Sequence, residues 1–285
     1  MDYIQRAKKF KTKKRLGQNF LVDEEAISTI IETANLKKDD VIVEIGPGAG
    51  FVTENVAPLV EKLYAIELDS EACDLLCGMG FSNVEIFLQD ILQTNLRDFL
   101  DKKAKIIANI PYYITSPILV HLLGEIDEVS SEEIKNREMI SEIVLMVQYE
   151  VAKRIVATPD SPNKEYGLLS ILSNFWAVPE LIKKVPAKSF YPAPKVDSAI
   201  VKMTIRKEPL VQLENPQLFK KIIKAAFAQR RKTLINALSQ VGFDKLKILS
   251  ILNKMQLKED IRGEKLSIFQ FADFCSYYEK GVDNV

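Results

Sequence analysis

The stretch VIVEIGPGAG, residues 41–50, joins an apolar run to a turn that is rich in glycine. Similar apolar runs follow, with helical patterns between them, at residues 63–68, 84–89, 105–110 and 142–148. Strands that are nearly continuous in apolar residues and alternate with helices indicate a parallel sheet covered on both faces. Residues 1–207 therefore predict an α/β domain of the Rossmann-like, doubly wound type, with a mostly parallel sheet.

The chain changes character after residue 207. Helical patterns occupy residues 216–240, 243–255 and 267–279, and we find no convincing strand among them. Before this boundary, Asp23 is expected to cap an amphipathic helix at residues 23–36, and the alternating stretch at 198–205 predicts one more strand. Residues 208–285 are therefore expected to form a small all-helical domain.

The composition excludes several classes of protein. The 285 residues include 39 basic and 39 acidic side chains, three cysteines and the single histidine His121. An odd cysteine count argues against a disulfide framework, and one histidine leaves too few ligands for a zinc site. No apolar run reaches the roughly 18 residues of a membrane span. We therefore expect a cytoplasmic protein with no resident metal and no membrane partner.

Although the net charge is zero, the basic residues are clustered. Residues 6–15 and 220–232 each hold a run of lysine and arginine without an intervening acid, and a thinner run spans 183–195. Such runs are most often solvated faces, but clustering of this kind is also typical of proteins that bind an anionic polymer. Both interpretations stay open at the level of composition. The residues predicted to contact a nucleic acid backbone are Lys13, Lys14, Arg15, Arg230, Arg231 and Lys232.

Polar residues or glycines follow each of the first strands. Gly46 and Gly48 follow the first, Glu67 the second, Asp90 the third and Asn109 the fourth. Ligands of doubly wound sheets bind beyond the carboxyl ends of the strands, where glycine permits close approach and a carboxylate can accept from ribose hydroxyls. Each acid alone is more typical of a helix cap, but together they predict a site for an adenosine-bearing cofactor. NAD is one alternative, although the glycine spacing differs from its usual G-x-G-x-x-G turn.

The stretch NIPYYITSP, residues 109–117, favours a methyl donor over NAD. The exocyclic nitrogen of adenine is a poor nucleophile because its lone pair is delocalised into the ring. If the Asn109 side-chain oxygen and the Ile110 carbonyl accept its two N–H groups, the lone pair is redirected towards a methyl carbon. Pro111 shapes the turn and Tyr112 can stack on the base. Such catalysis works by positioning and needs no acid–base residue.

Six motifs together resemble the KsgA-type small-subunit (16S) rRNA adenine N6,N6-dimethyltransferases. They are RLGQNFL (15–21), EIGPGAG (44–50), AIELD (65–69), NIPYYITSP (109–117), SFYPAPKVDSA (189–199) and AFAQRRKTLINAL (226–238). The resemblance implies a class I methyltransferase domain with a small helical C-terminal domain, and S-adenosylmethionine as the cofactor. It implies 16S rRNA of the assembling small subunit as the partner, with two adjacent adenines of the 3′-terminal hairpin loop each methylated twice. We expect a monomer.

The resemblance also assigns residues. Asn19 and Leu21 match the family's N-terminal cofactor contacts, while Gly46, Gly48, Glu67, Asp90 and Asn109 match the rest of the cofactor site. Tyr112 and Phe190 match the pair that sandwiches the target adenine. The alternative for Phe190 is a loop anchor that packs on the core.

Other functions remain in competition at this point. Large-subunit (23S) rRNA methyltransferases of the antibiotic-resistance type share the domain and a very similar N-I-P-Y motif, whereas Pro117 and the stretch AFAQRRKTL favour the small-subunit enzymes. A non-catalytic ribosome-assembly factor is a second alternative, which the intact Asn109 and acidic residues oppose. A DNA adenine methyltransferase is a third.

Overall fold

The computed structural model describes residues 3–10, 13, 17–128, 136–162 and 165–281. The chain divides into two compact units, each made of more than one segment. The first comprises residues 1–124, 134–153 and 178–205, and the second comprises residues 125–133, 154–177 and 206–285. No helix among the described residues is long and apolar enough to cross a membrane.

The first unit is built on a sheet that, within the described residues, has seven strands. The strands are β2 (Val41–Ile45), β3 (Lys62–Glu67), β4 (Val84–Leu88), β5 (Ala104–Asn109), β6 (Ile140–Gln148), β7 (Ala177–Val185) and β9 (Ser198–Ile205), in the order β4-β3-β2-β5-β6-β9-β7. The five neighbouring strands β4, β3, β2, β5 and β6 run parallel, and β9 is antiparallel to β6. The mostly parallel sheet of the sequence prediction is therefore confirmed.

Short elements surround this sheet. The helices are α1 (Tyr3–Lys9), α2 (Glu24–Ala34), α3 (Thr53–Val56), α4 (Ser70–Cys77), α5 (Thr115–Leu123) and α6 (Tyr149–Val156), the last of which spans both units. Two short strands, β1 (Phe20–Leu21) and β8 (Phe190–Tyr191), pair antiparallel and tie the N-terminal segment to the loop before β9. The Asp23 side chain caps α2 by accepting from Glu25 and Ala26 backbone N–H groups, as the sequence predicted.

The second unit is helical in its C-terminal part. Its helices are α7 (Leu168–Trp176), α8 (Pro216–Ala228), α9 (Leu234–Ser239), α10 (Lys245–Lys254) and α11 (Ile268–Lys280). Phe175, Phe219, Phe271 and Phe274 are fully buried in it.

The structure differs from the predicted domain organisation in two respects. The helix expected at 216–240 is interrupted at residues 229–233, where Thr233 caps a new helix by accepting from the Asn236 N–H. Helical segments from before the expected boundary, including α7, also belong to the second unit. Helical periodicity does not reveal this, because the unit to which a buried helix belongs depends on contacts with residues distant in sequence.

Lys105 of β5 stabilises the C-terminal end of α2. Its ammonium group donates to the backbone carbonyls of Ala34 and Asn35, and it contacts the Asp40 carboxylate at 2.7 Å. The Lys105 and Asp40 side chains are only 15% and 18% exposed. The carbonyls at a helix C-terminus lack intrahelical partners, and a cation there also interacts favourably with the helix dipole.

We predict that Lys105→Ala lowers the free energy of unfolding by about 1–3 kcal/mol, since half-buried acceptors lose a charged donor. Urea titration followed by circular dichroism measures this. Lys62→Ala is the matched control, because Lys62 pairs with Glu85 at 2.8 Å on a more exposed part of the sheet; it should cost less than about 1 kcal/mol. Equal losses for the two variants would contradict the role assigned to Lys105.

Candidate active site

The register of the parallel strands brings the predicted cofactor residues to one level. Ile45 pairs with Ile66 on one side and with Ala108 on the other. The next residues along these strands, Gly46, Glu67 and Asn109, therefore lie side by side at the carboxyl edge. This is the edge at which ligands of doubly wound sheets bind.

A cleft opens at this edge within the first unit, with about 1010 Å³ of space when open solvent is included. Its wall comes from residues 17–21, 44–49, 51–52, 66–68, 89, 91, 109–111, 113–114 and 118. The cleft therefore joins the glycine turn, the Glu67 turn, the N-terminal segment and the loop that begins with Asn109. A concave site at the carboxyl edge of such a sheet is the usual position for a ligand.

Glu67 is the best-anchored acid in the cleft. Its carboxylate accepts from the backbone N–H groups of Gly48 at 3.0 Å, Leu68 at 2.7 Å and Asp69 at 2.9 Å. Burial raises the pKa of Glu67, and these hydrogen bonds act in the opposite direction. A carboxylate fixed in this way has oxygen lone pairs left to accept from the hydroxyl groups of a ribose.

Glycine is required in the turn after β2. Gly48 has φ of +55°, and a Cβ built on it would lie 2.8 Å from the Phe20 ring. Gly46 also has a positive φ, of +68°, and its backbone N–H donates to the Ile66 carbonyl at 2.9 Å. The turn can therefore pass beneath the Phe20 ring and present its backbone to a ligand.

Glu44 is a second buried acid in the cleft wall, one that the sequence analysis missed. Its side chain accepts from the Thr53 hydroxyl at 2.7 Å, and the residue is 3% exposed. Burial raises its pKa to about 7, the Thr53 hydrogen bond lowers it, and the nearby Glu67 charge raises it further. The signal in the sequence was an acid inside the otherwise apolar strand VIVEI.

Asn109 ends β5 and contacts the N-terminal segment. Its amide nitrogen donates to the Asn19 backbone carbonyl at 3.3 Å, which leaves the side-chain oxygen free of this interaction and available as an acceptor. Asn19 in turn donates through its own amide to the Gly17 carbonyl at 3.0 Å. Gly17 packs against the next part of the loop, since a Cβ on it would lie 3.3 Å from Pro111 and 3.3 Å from Tyr113.

Most of the predicted cofactor and catalytic residues share this cleft. They are Asn19, Leu21, Gly46, Gly48, Glu67, Asn109, Ile110 and Pro111. Asp90 is offset, because Glu67 pairs with Leu88 and Asp90 therefore lies two residues beyond that level. One oxygen of Asp90 accepts from the Leu92 N–H at 2.9 Å, and its neighbours Gln89 and Ile91 line the cleft.

Tyr112 and Phe190 are the two residues predicted to stack on the target base, and the structure describes the side chain of Phe190. Phe190 is 3% exposed and belongs to the hydrophobic core of the first unit, where its strand pairs with Leu21. This is the position expected of a loop anchor, and its stacking role stays a prediction. The side chain of Tyr112 lies outside the described part of the chain. Tyr113, which was not predicted, lines the cleft and is 65% exposed.

The predicted RNA contacts fall in both units. Lys14 and Arg15 lie outside the described residues, and Lys13 binds the carboxylates of Asp69 and Glu71 at 2.6 and 3.1 Å. In the second unit, Arg230, Arg231 and Lys232 are exposed in the turn between α8 and α9. Their contact with RNA stays a prediction.

The fold and this edge site together define an S-adenosylmethionine-dependent methyltransferase of class I. The family model for ribosomal RNA adenine dimethylase matches residues 9–274, so the chain belongs to the ribosomal RNA adenine dimethylase family. A relative from Caldanaerobacter subterraneus subsp. tengcongensis, ribosomal RNA small subunit methyltransferase A, is 37% identical over 93% of this chain and 97% of its own length.

Two solved structures are similar to this one. A dimethyladenosine transferase from Plasmodium falciparum is 26% identical, with a TM-score of 0.72 over 91% of this chain and 97% of that one. The 23S rRNA methyltransferase ErmE has a TM-score of 0.66 over 92% of this chain and 100% of that one. At 23% identity, the second similarity shows the fold alone.

The cleft fits the cofactor of this family. Glu67, fixed by backbone donors, suits the ribose hydroxyls, and the turn at Gly46 and Gly48 allows close approach to a ligand. Asn19 and Leu21 also line the cleft. When bound, S-adenosylmethionine supplies an electrophilic methyl group attached to a sulfonium ion.

Glu44 makes the stability of the protein depend on pH. Its folded pKa of about 7 lies above the ordinary value of 4.5, so the folded state binds this proton more tightly between these values. The free energy of unfolding therefore falls as the pH rises through this window. The full effect is about 3 kcal/mol.

We predict that Glu44→Gln reduces this decline, because glutamine cannot ionise in the buried site. Urea unfolding at pH 5, 6, 7 and 8 should show the variant gaining stability relative to wild type as the pH rises. Glu32→Gln, which changes an exposed acid on α2, serves as the control and should leave the pH dependence unchanged. Parallel pH curves for wild type and Glu44→Gln would exclude a raised pKa at Glu44.

Proposed function

We propose that the protein dimethylates the N6 amino groups of two adjacent adenines in the 3′-terminal hairpin loop of 16S rRNA, during assembly of the small ribosomal subunit. S-adenosylmethionine is the methyl donor. We also propose that the protein acts as a monomer in the cytoplasm. Membership of the ribosomal RNA adenine dimethylase family and the 37% identity to a protein named for the small subunit support the choice of substrate.

The observation that carries the proposal is the place and orientation of Asn109. The residue lies beside Gly46 and Glu67 at the carboxyl edge, and its amide nitrogen is held by the Asn19 carbonyl. The Asn109 oxygen is thereby left to accept from an adenine amino group. The Ile110 carbonyl is the second proposed acceptor.

These contacts act on the nucleophile. Hydrogen bonds to the N–H groups of the amino nitrogen oppose delocalisation of its lone pair into the ring and stabilise the positive charge that develops on the nitrogen. Tyr112 is proposed to fix the plane of the base by stacking, as aromatic side chains do with splayed RNA bases. Because the acceptors are preorganised, no general base is required for the attack.

We predict that Asn109→Ala lowers methyl transfer far more than it lowers rRNA binding, because the lost interaction strengthens as charge develops. The assay uses tritiated S-adenosylmethionine with undermethylated small subunits, followed by nucleoside analysis for N6,N6-dimethyladenosine. Binding to the subunits is measured in parallel.

Separate controls test the chemistry and the substrate. Asn83→Ala removes an amide of the same unit that donates to the Ala57 and Val60 carbonyls away from the cleft, and it should retain turnover. Large subunits replace small ones in a second reaction. Methylation of large subunits alone would favour the 23S alternative, whereas bound complexes of Asn109→Ala with normal turnover would exclude the role of Asn109.

The second unit is proposed to contact the rRNA backbone through the turn at residues 230–232. The side chains of Arg230, Arg231 and Lys232 are exposed there, in a run of three consecutive cations. Exposed cations can neutralise phosphates and release counterions on binding. The second unit would therefore add affinity for the rRNA, while the first unit performs the methyl transfer.

We predict that replacing Arg230, Arg231 and Lys232 by alanine weakens rRNA binding and reduces its salt dependence by about two to three units of slope. Filter binding over a range of salt concentrations measures both effects, and cofactor affinity should not change. The control removes the exposed Lys245, Lys254 and Lys258 of the same unit, which changes the net charge equally. Identical salt slopes for the two triple variants would contradict a specific contact at the turn.

A further inference from the structure

The N-terminal segment reaches the reacting groups through a cluster formed by Lys13, Gln18 and Asp69. The Lys13 ammonium donates to Asp69 Oδ1 at 2.6 Å, and the Gln18 amide donates to Asp69 Oδ2 at 2.9 Å. Gln18 Oε1 also accepts from the Lys13 backbone N–H at 2.8 Å. These three residues therefore form a closed set of contacts, which we call the latch.

The latch has a buried acceptor at its centre. The Asp69 side chain is 0% exposed, and the Lys13 side chain is 23% exposed. Burial acts to raise the pKa of Asp69, but hydrogen bonds from Lys13, Gln18 and the Glu71 N–H, together with the Lys13 charge, outweigh it, and the pKa is lowered. The carboxylate is thus held ionised between its donors, and charged hydrogen bonds of this kind are among the stronger ones in proteins.

The latch is continuous with the cofactor site on one side. The Asp69 backbone N–H donates to Glu67 Oε1 at 2.9 Å, so one turn supplies both the centre of the latch and a hydrogen bond to the ribose-binding carboxylate. On the other side, Gln18 directly precedes Asn19, whose carbonyl holds the Asn109 amide. A displacement of residues 17–19 would release that amide.

We propose that Gln18 and Asp69 are positioning residues for methyl transfer: by fixing residues 17–19, they hold the Asn19 carbonyl where it orients the Asn109 amide. Without the Asn19 acceptor, the Asn109 amide is free to rotate and present its NH₂ group to the adenine. The adenine amino group is also a hydrogen-bond donor, so no hydrogen bond would form between the two groups. The inference rests on the proposed function of Asn109. It concerns Gln18 and Asp69, which the sequence analysis did not assign, and Lys13, which it assigned to RNA contact.

Gln18→Ala is the first test, and Asn83→Ala is its matched control. In the described part of the chain, the Gln18 side chain forms hydrogen bonds with the Lys13 N–H and the Asp69 carboxylate, and the Asn83 side chain donates to two backbone carbonyls. Both variants should therefore lose similar stability in thermal unfolding. Gln18→Ala alone should lower kcat at saturating cofactor by about tenfold, because a displaced reacting group loses rate steeply. Its affinity for rRNA should match that of wild type.

A donor–acceptor exchange supplies the rescue. Gln18→Glu alone places a second carboxylate against Asp69 and should be worse than Gln18→Ala. Asp69→Asn alone keeps a side chain able to cap α4, so it separates the latch from the cap that Asp69 provides to the Glu71 N–H. In the double variant Gln18→Glu/Asp69→Asn, the amide at position 69 donates to the carboxylate at position 18, and this carboxylate also lies near Lys13. The kcat should therefore return towards the wild-type value.

Cofactor affinity gives a readout independent of turnover. Calorimetry with S-adenosylmethionine should show an affinity loss of about threefold to tenfold for Gln18→Ala and recovery in the double variant, since residues 17–21 line the cleft. Wild type without activity on small subunits would refute the proposed function. The latch is tested separately when wild type is active and Asn109→Ala is impaired. In that case, equal kcat values for Gln18→Ala and Asn83→Ala would refute the latch. A double variant whose kcat does not recover would also refute it.

Discussion

The site depends on the register of three parallel strands. The pairing of Ile45 with both Ile66 and Ala108 places Gly46, Glu67 and Asn109 at one level, although more than 60 residues separate the first from the last. Glu67 then links two of the strand ends, since it accepts from the Gly48 N–H and from its own turn. A one-residue slip in any of these pairings would move its residue away from the cleft and turn its side chain to the other face.

The cleft contains two buried acids that differ in the number of hydrogen bonds they accept. Glu67 is stabilised by backbone donors, whereas Glu44 depends on the Thr53 hydroxyl and has a pKa near 7. Burying acidic groups costs stability in the free protein. The same cost favours a ligand that carries positive charge into the cleft, as a sulfonium cofactor does.

Contacts from distant parts of the chain complete the site. The N-terminal segment supplies Asn19 to Asn109, covers Gly48 with the Phe20 ring and is held by Asp69. Pairing of β1 with β8 buries Phe190 beside this segment, so the residue expected to stack on a base lies in the core. Tyr113, in the loop that begins with Asn109, is exposed at the cleft. Aromatic residues of two neighbouring motifs of the site therefore differ greatly in exposure.

The sequence by itself determined strands β2 to β6 and β9, the cap at Asp23 and the residues at the strand ends, because apolar periodicity and short motifs act over a few neighbouring residues. It did not reveal β1, β7 or β8. Only the tertiary structure decided that Glu44 is buried in the cleft wall, that Asp90 is offset from Glu67, that α7 belongs to the second unit and that Asp69 holds Gln18. Burial and register arise from contacts between segments far apart in the chain, and no local pattern encodes which segments will meet.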